Sequence, residues 1–141
     1  MNVPTLVLLG FAAWTVLVLL VGVGIVRWSQ ILTGRKKLNE FPADVPHGGP
    51  RYRRAMRAHA NCVENLPVLG AAVVAANATG VHGGLLDGLA LVYLGARMLQ
   101  TVTHVALDET PGAVAVRFGF FFAQIVCVVW MGVLVARAAT F

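Results

Sequence analysis

The sequence is short of charge. Of its 141 residues only 12% are charged and just six are acidic, against about 25% charged residues in a soluble globular domain. That shortage excludes a chain that turns most of its surface to water. The sequence has only two cysteines, Cys62 and Cys127, with no CxxC pair and no Cys/His metal spacing, so they read as two buried thiols and no metal is expected. No internal repeat, low-complexity tract or composition break divides it, which leaves a single domain over residues 1–141. No basic stretch precedes the first apolar run, and that run, Val3 to Val26, is too long for the core of a cleavable signal peptide; it is expected to be a retained span. The sequon Asn77-Ala78-Thr79 at the end of another apolar run reads as chance.

What is present is hydrophobic sequence, 58% of the chain. A transmembrane helix needs about 20 mainly apolar residues. Four segments qualify as spans, roughly 4–26, 54–79, 86–107 and 113–137. Between the first two lies the one long connection, 28–53, which holds Arg35, Lys36, Lys37, Arg51 and Arg53 with Pro42, Pro46 and Pro50. The net charge of +5 would suit a nucleic-acid partner if it were spread out. Clustered here it reads as a membrane-flanking loop, and the positive-inside rule places that loop in the cytoplasm. The other connections, 80–84 and 108–112, are short turns. The fold expected is all-α, an integral membrane antiparallel four-helix bundle, with Gly70, Ala71, Gly88 and Gly95 among the small residues that let helices approach closely.

Against that apolar background the polar residues form a pattern. Arg57, Asn61 and Glu64 are spaced i, i+4, i+7 in the second span; Arg97, Gln100 and His104 are spaced i, i+3, i+7 in the third; Arg117 and Gln124 are seven apart in the fourth. At about 100° per residue each set occupies one helix face. All three stripes fall in the cytoplasmic half of the spans. Intramembrane polar residues often only bind helices together, but three stripes at one depth suggest a polar site. Three arginines there meet one acid, Glu64, and buried charge must be paired. The excess points to an anionic ligand whose carboxylates suit the planar guanidinium fork, with Glu64 left for a ligand amine. His59 points away from the Arg57 face and reads as structural. Trp14, Trp28 and Trp130 read as core or interfacial anchors.

The stretch Arg57-Ala58-His59-Ala60-Asn61-Cys62-Val63-Glu64-Asn65-Leu66-Pro67 resembles the R-A-H-x-N-x-x-E-N-x-P signature of the MAPEG family, the membrane-associated proteins in eicosanoid and glutathione metabolism. Gly95-Ala96-Arg97, Arg35-Lys36-Lys37 and His47-Gly48-Gly49-Pro50 are similar to further family segments, and Arg117 matches an arginine early in the family's fourth helix. The resemblance covers almost everything after the first span. It implies a homotrimer that holds glutathione between subunits near the cytoplasmic face, with conjugation or peroxidase chemistry on apolar electrophiles. On that basis Arg57, Asn61 and Glu64 contact the tripeptide, together with Gln100 and His104. Arg97 braces the site, and Arg117 is the catalytic residue beside the sulfur.

The sequence departs from the family in places. Cys62 stands where Asp is common, and Gln100 and His104 where mammalian members carry His and Tyr. Ala60 and Phe118 stand where the prostaglandin-synthesising member has Arg and Ser, which argues against prostaglandin synthesis. The function expected is a membrane glutathione transferase or glutathione-dependent peroxidase of a detoxifying kind. The alternative is a non-catalytic lipid- or thiol-binding scaffold of the same fold. A transporter fits less well, because transporter sites sit near the midplane, often between repeated halves. The location expected is a bacterial inner membrane, with lipid and a hydrophobic electrophile as partners.

Overall fold

A computed structural model describes residues 1–42, 45 and 47–139; Pro46 of the expected loop lies outside them. Four long helices account for most of the chain: α1 (Val3–Leu32), α2 (Pro50–Ala78), α3 (Gly84–Ala106) and α4 (Pro111–Ala139). No strand is present among the described residues. α2 and α3 pack against every other helix, whereas α1 and α4 barely touch each other.

Each helix boundary has a local cause. The Asn2 side chain caps α1 by accepting from the Thr5 amide at 3.1 Å. The same Asn2 donates to Asn77 Oδ1 at 2.6 Å, and Asn77 donates to Thr5 Oγ1 at 3.1 Å. The sequon asparagine thus ties the start of α1 to the end of α2. α2 stops in a Schellman turn, with the Val81 amide on the Ala76 carbonyl at 2.9 Å and the Gly80 amide on that of Asn77 at 3.3 Å. Gly80 supplies the positive φ of 69° that this turn requires. α4 opens with Thr110 as cap, its hydroxyl accepting from the Ala113 amide at 3.2 Å, and with Pro111 where a missing N–H costs nothing.

Two boundaries differ from the sequence expectation. α1 continues past its apolar run to Leu32, and α2 begins at Pro50, so the expected 28–53 connection shortens to 33–49. A helix need not end where lipid ends, and Pro50 is pre-set for a first helical turn. α1 also passes through a π-helical segment, Val18–Gly24, which periodicity did not reveal. The connection itself is folded. Arg27 Nε donates to the Tyr52 hydroxyl at 2.7 Å. The Phe41 ring lies 5.4 Å from both the Arg27 guanidinium and the Lys36 ammonium. The His47 ring stands edge-on to Tyr52 at 5.4 Å.

The end of the bundle near the 79–83 turn is apolar inside, with Val7, Phe11, Leu69, Val73, Tyr93 and Met131 all buried. Large apolar side chains such as Leu20, Leu91, Val129 and Trp130 are exposed outside, a surface suited to lipid. α1, α3 and α4 are long and apolar enough to cross a membrane. α2 has the length at 29 residues, but its first half carries Arg51, Arg53, Arg54 and Arg57. Three helices therefore qualify by composition where four spans were expected.

Candidate functional site

The polar stripes meet at the loop end of the bundle, where α2, α3 and α4 converge. Arg97, Gln100 and Thr101 on α3 and Arg117 and Gln124 on α4 are buried. Gln124 Nε2 donates to Gln100 Oε1 at 3.0 Å, and Gln100 Nε2 donates to the Arg117 carbonyl at 3.2 Å. These bonds lock α3 to α4 in register. From α2, Asn61 Nδ2 lies 3.3 Å from His104 Nε2. Cys62 Sγ is 3.5 Å from Thr101 Oγ1, a buried thiol as expected.

A groove of about 410 Å³ opens beside this lattice. Its walls include Arg57, Asn61, Gln100, His104 and Arg117, five of the seven residues that the sequence put forward, with Phe118 and Phe121 on the α4 side. Arg117 Nη2 donates to the carbonyls of Leu107 at 2.7 Å and Thr103 at 3.3 Å, while its Nε is buried with no partner among the described residues. His104 Nδ1 is likewise buried without a partner. The groove thus has cationic and polar side chains on its walls and aromatic surface beside them, a combination that can take a ligand with an anionic end and an apolar end.

The other two residues lie elsewhere. Arg97 is buried, 1% exposed, behind the groove with its guanidinium 5.7 Å from the Phe11 ring centre. Its Nε and Nη2 find no partner among the described residues. Glu64 is exposed on the outer face of α2 and does not line the groove. His59 is half-buried and apart from the groove, with Nδ1 unpartnered among the described residues.

The charge balance also needs correction. Glu64 was expected to be the only acid facing the arginines. Instead Arg57 Nη1 pairs with Glu109 at 3.2 Å, and Arg54 Nη1 pairs with Asp108 at 2.6 Å. Both acids sit in the α3–α4 turn, which sequence reading treated only as a short connection. Glu109 lines the groove. The signal for it was present, since an acidic turn and a basic helix start fall at the same end of the bundle. After this pairing the arginines at the site without a carboxylate among the described residues are Arg97 and Arg117.

No curated protein matches the chain. The family model of the MAPEG family matches residues 5–137, nearly the whole length. Together with three membrane-length apolar helices this fits an integral membrane protein. The match takes in α2, α3 and α4 along with the groove between them, and by its extent the chain belongs to the MAPEG family.

Proposed function

We propose that the protein is a membrane glutathione transferase or glutathione-dependent peroxidase acting on hydrophobic electrophiles, with the groove between α2, α3 and α4 as its thiol site. One observation carries the reading. Arg117 is a buried cation with no carboxylate partner among the described residues, on the wall of a groove that Phe118 and Phe121 also line. A free cysteine thiol has a pKa of about 8.5, and its thiolate is the nucleophile. A fixed cation beside the sulfur favours the thiolate, and arginine does so without giving up a proton. In conjugation the thiolate forms a carbon–sulfur bond as the electrophile expels its leaving group or takes up a proton. In the peroxidase reaction two thiols become a disulfide as a hydroperoxide is reduced to alcohol and water.

The remaining roles follow from position. Asn61, Gln100 and His104 supply hydrogen bonds to the tripeptide, and Arg57 takes a carboxylate. Glu64 is an ionisable group exposed on the outer face of α2. Such groups are costly in lipid and face protein or a polar cavity. A neighbouring subunit is the natural cover, which supports a homotrimer with the site at the subunit boundary and Glu64 turned toward the ligand amine. The basic 33–49 connection supports a cytoplasmic orientation, and the bacterial inner membrane stays part of the proposal.

A second reading rests on Arg117 Nη2. It caps the last carbonyls of α3, a stabilising role that needs no ligand, and it favours a non-catalytic scaffold of the same fold. Glutathione titration of the purified protein, followed by thiolate ultraviolet absorbance and by calorimetry, separates the two. A saturable thiolate signal that Arg117→Ala removes supports the enzyme. Binding without that signal supports the scaffold.

A further inference from the structure

On the opposite flank of α3 lies a second cavity of different character. Over Val3–Leu17, α1 packs on both α2 and α3, and Trp14 Nε1 donates to Thr101 Oγ1 at 3.3 Å. The π-helical segment that follows packs mainly on α2. Gly22 permits this approach, since a Cβ there would stand 3.1 Å from Ala55 Cβ. As α1 is drawn to α2 it parts from α3. A trough of about 350 Å³ opens between them, walled by Leu17, Val18, Val21, Val102 and Val105. It continues toward the 33–49 connection into a space of about 500 Å³ that shares Val21, Gly22, Arg51 and Val105 with it.

The lining is mainly apolar, with Thr101 and Tyr52 as its neutral polar members. Arg51 is the single charged residue on the walls of either space, it is exposed, and it forms no ion pair among the described residues. From Trp14 to Gly22 the trough runs about 12 Å along α1, most of the ~15 Å of one hydrocarbon leaflet. Arg51 stands where the trough meets the space toward the connection, and a cation at that end of an apolar slot complements an amphiphile with an anionic head. Arg27 and Lys36 add positive potential nearby, of the kind that attracts anionic lipid.

We infer that this trough holds one acyl chain of an anionic phospholipid, with Arg51 on the headgroup phosphate. The site is separate from the thiol groove. Val102 and Val105 face the trough, and Gln100 and His104 face the groove across the helix. The inference does not depend on glutathione binding.

Trp14 lines the trough and reports on it. The test uses full-length protein with Trp28→Phe and Trp130→Phe, reconstituted in phosphatidylcholine vesicles containing phosphatidylglycerol. One lipid at a time is brominated on its chains, at equal mole fraction. Brominated phosphatidylglycerol is expected to quench Trp14 several-fold more than brominated phosphatidylcholine. Arg51→Gln, an exposed change, should bring the two to the same level, and Val105→Phe should lower quenching by both, with helix content unchanged by circular dichroism. Equal quenching in the parent protein would reduce the trough to ordinary boundary lipid and overturn the inference. A preference that survives Arg51→Gln would put the anion site elsewhere. No quenching by either lipid would mean that protein, such as a second copy of the chain, covers the trough.

Discussion

Near the 79–83 turn, the interior between the helices is filled by Phe11, Leu69, Val73, Tyr93 and Met131. Near the 33–49 connection, the same helices put Gln100, Arg117 and Gln124 inside. The first half satisfies its contacts completely by packing. The second keeps donors unspent, on Arg117 Nε and His104 Nδ1, in surroundings where an unpaired polar group is expensive. A bundle built only for stability would have continued the first pattern to both ends. The polar half is the part we propose for the ligand, and the apolar half is the frame that would hold it to a fixed geometry.

The comparison breaks most sharply at Arg117. Arg117→Ala is expected to lower kcat for conjugation by about 10²–10³-fold, the range seen when one stabilising donor is lost, while glutathione affinity changes only a few-fold. Arg117→Lys, which keeps the charge, should recover part of the thiolate signal. Equal loss of affinity and rate in a well-folded Ala variant would remove Arg117 from the sulfur and leave it as the α3 cap.

A smaller effect is expected in the frame. Leu69 is fully buried, at 0% exposure, and Leu69→Ala leaves a cavity. In lipid the transfer part of the usual cost is weak, so the loss should fall near the low end of the range, about 2 kcal/mol, by detergent-unfolding titration. Glutathione affinity should stay within two-fold, about 0.4 kcal/mol. A large affinity loss would mean that the two halves are not separable. Gln124→Leu lies between them. It removes the bond to Gln100 and should cost about 1 kcal/mol, within the span measured for interhelical hydrogen bonds in membranes.

Much of this division was readable from residue order. The apolar runs located four helices, and the helical spacings within them located Arg57, Asn61, Gln100, His104 and Arg117, five residues now on one groove. Helical spacing fixes which residues share a face but not what that face meets. Glu64 shares a face with Arg57 and still does not line the groove, since it stands seven residues, about 10 Å, farther along α2. The partner of Arg57 is 52 residues away, in a turn whose composition spoke only of helix ends. The π-helical segment has the same residue types as an ordinary apolar helix, and only the approach of Gly22 to Ala55 marks it.

The subtlest prediction concerns that missed acid. Glu109 holds Arg57 at 3.2 Å on the wall of the groove, with both side chains more than half exposed. A glutathione carboxylate that uses Arg57 must compete with it. An exposed ion pair is worth about 0.2–1 kcal/mol, so Glu109→Gln should tighten glutathione binding by no more than about five-fold. The gain should shrink at high salt, where the pair in the parent protein is already screened. The opposite sign is equally informative. If Glu109→Gln weakens binding, the carboxylate holds the ligand ammonium, and the amine role assigned to Glu64 moves to the α3–α4 turn. Calorimetry on Glu64→Gln and Glu109→Gln side by side decides which carboxylate the ligand uses, and with it whether the outer face of α2 belongs to the ligand or to the neighbouring subunit.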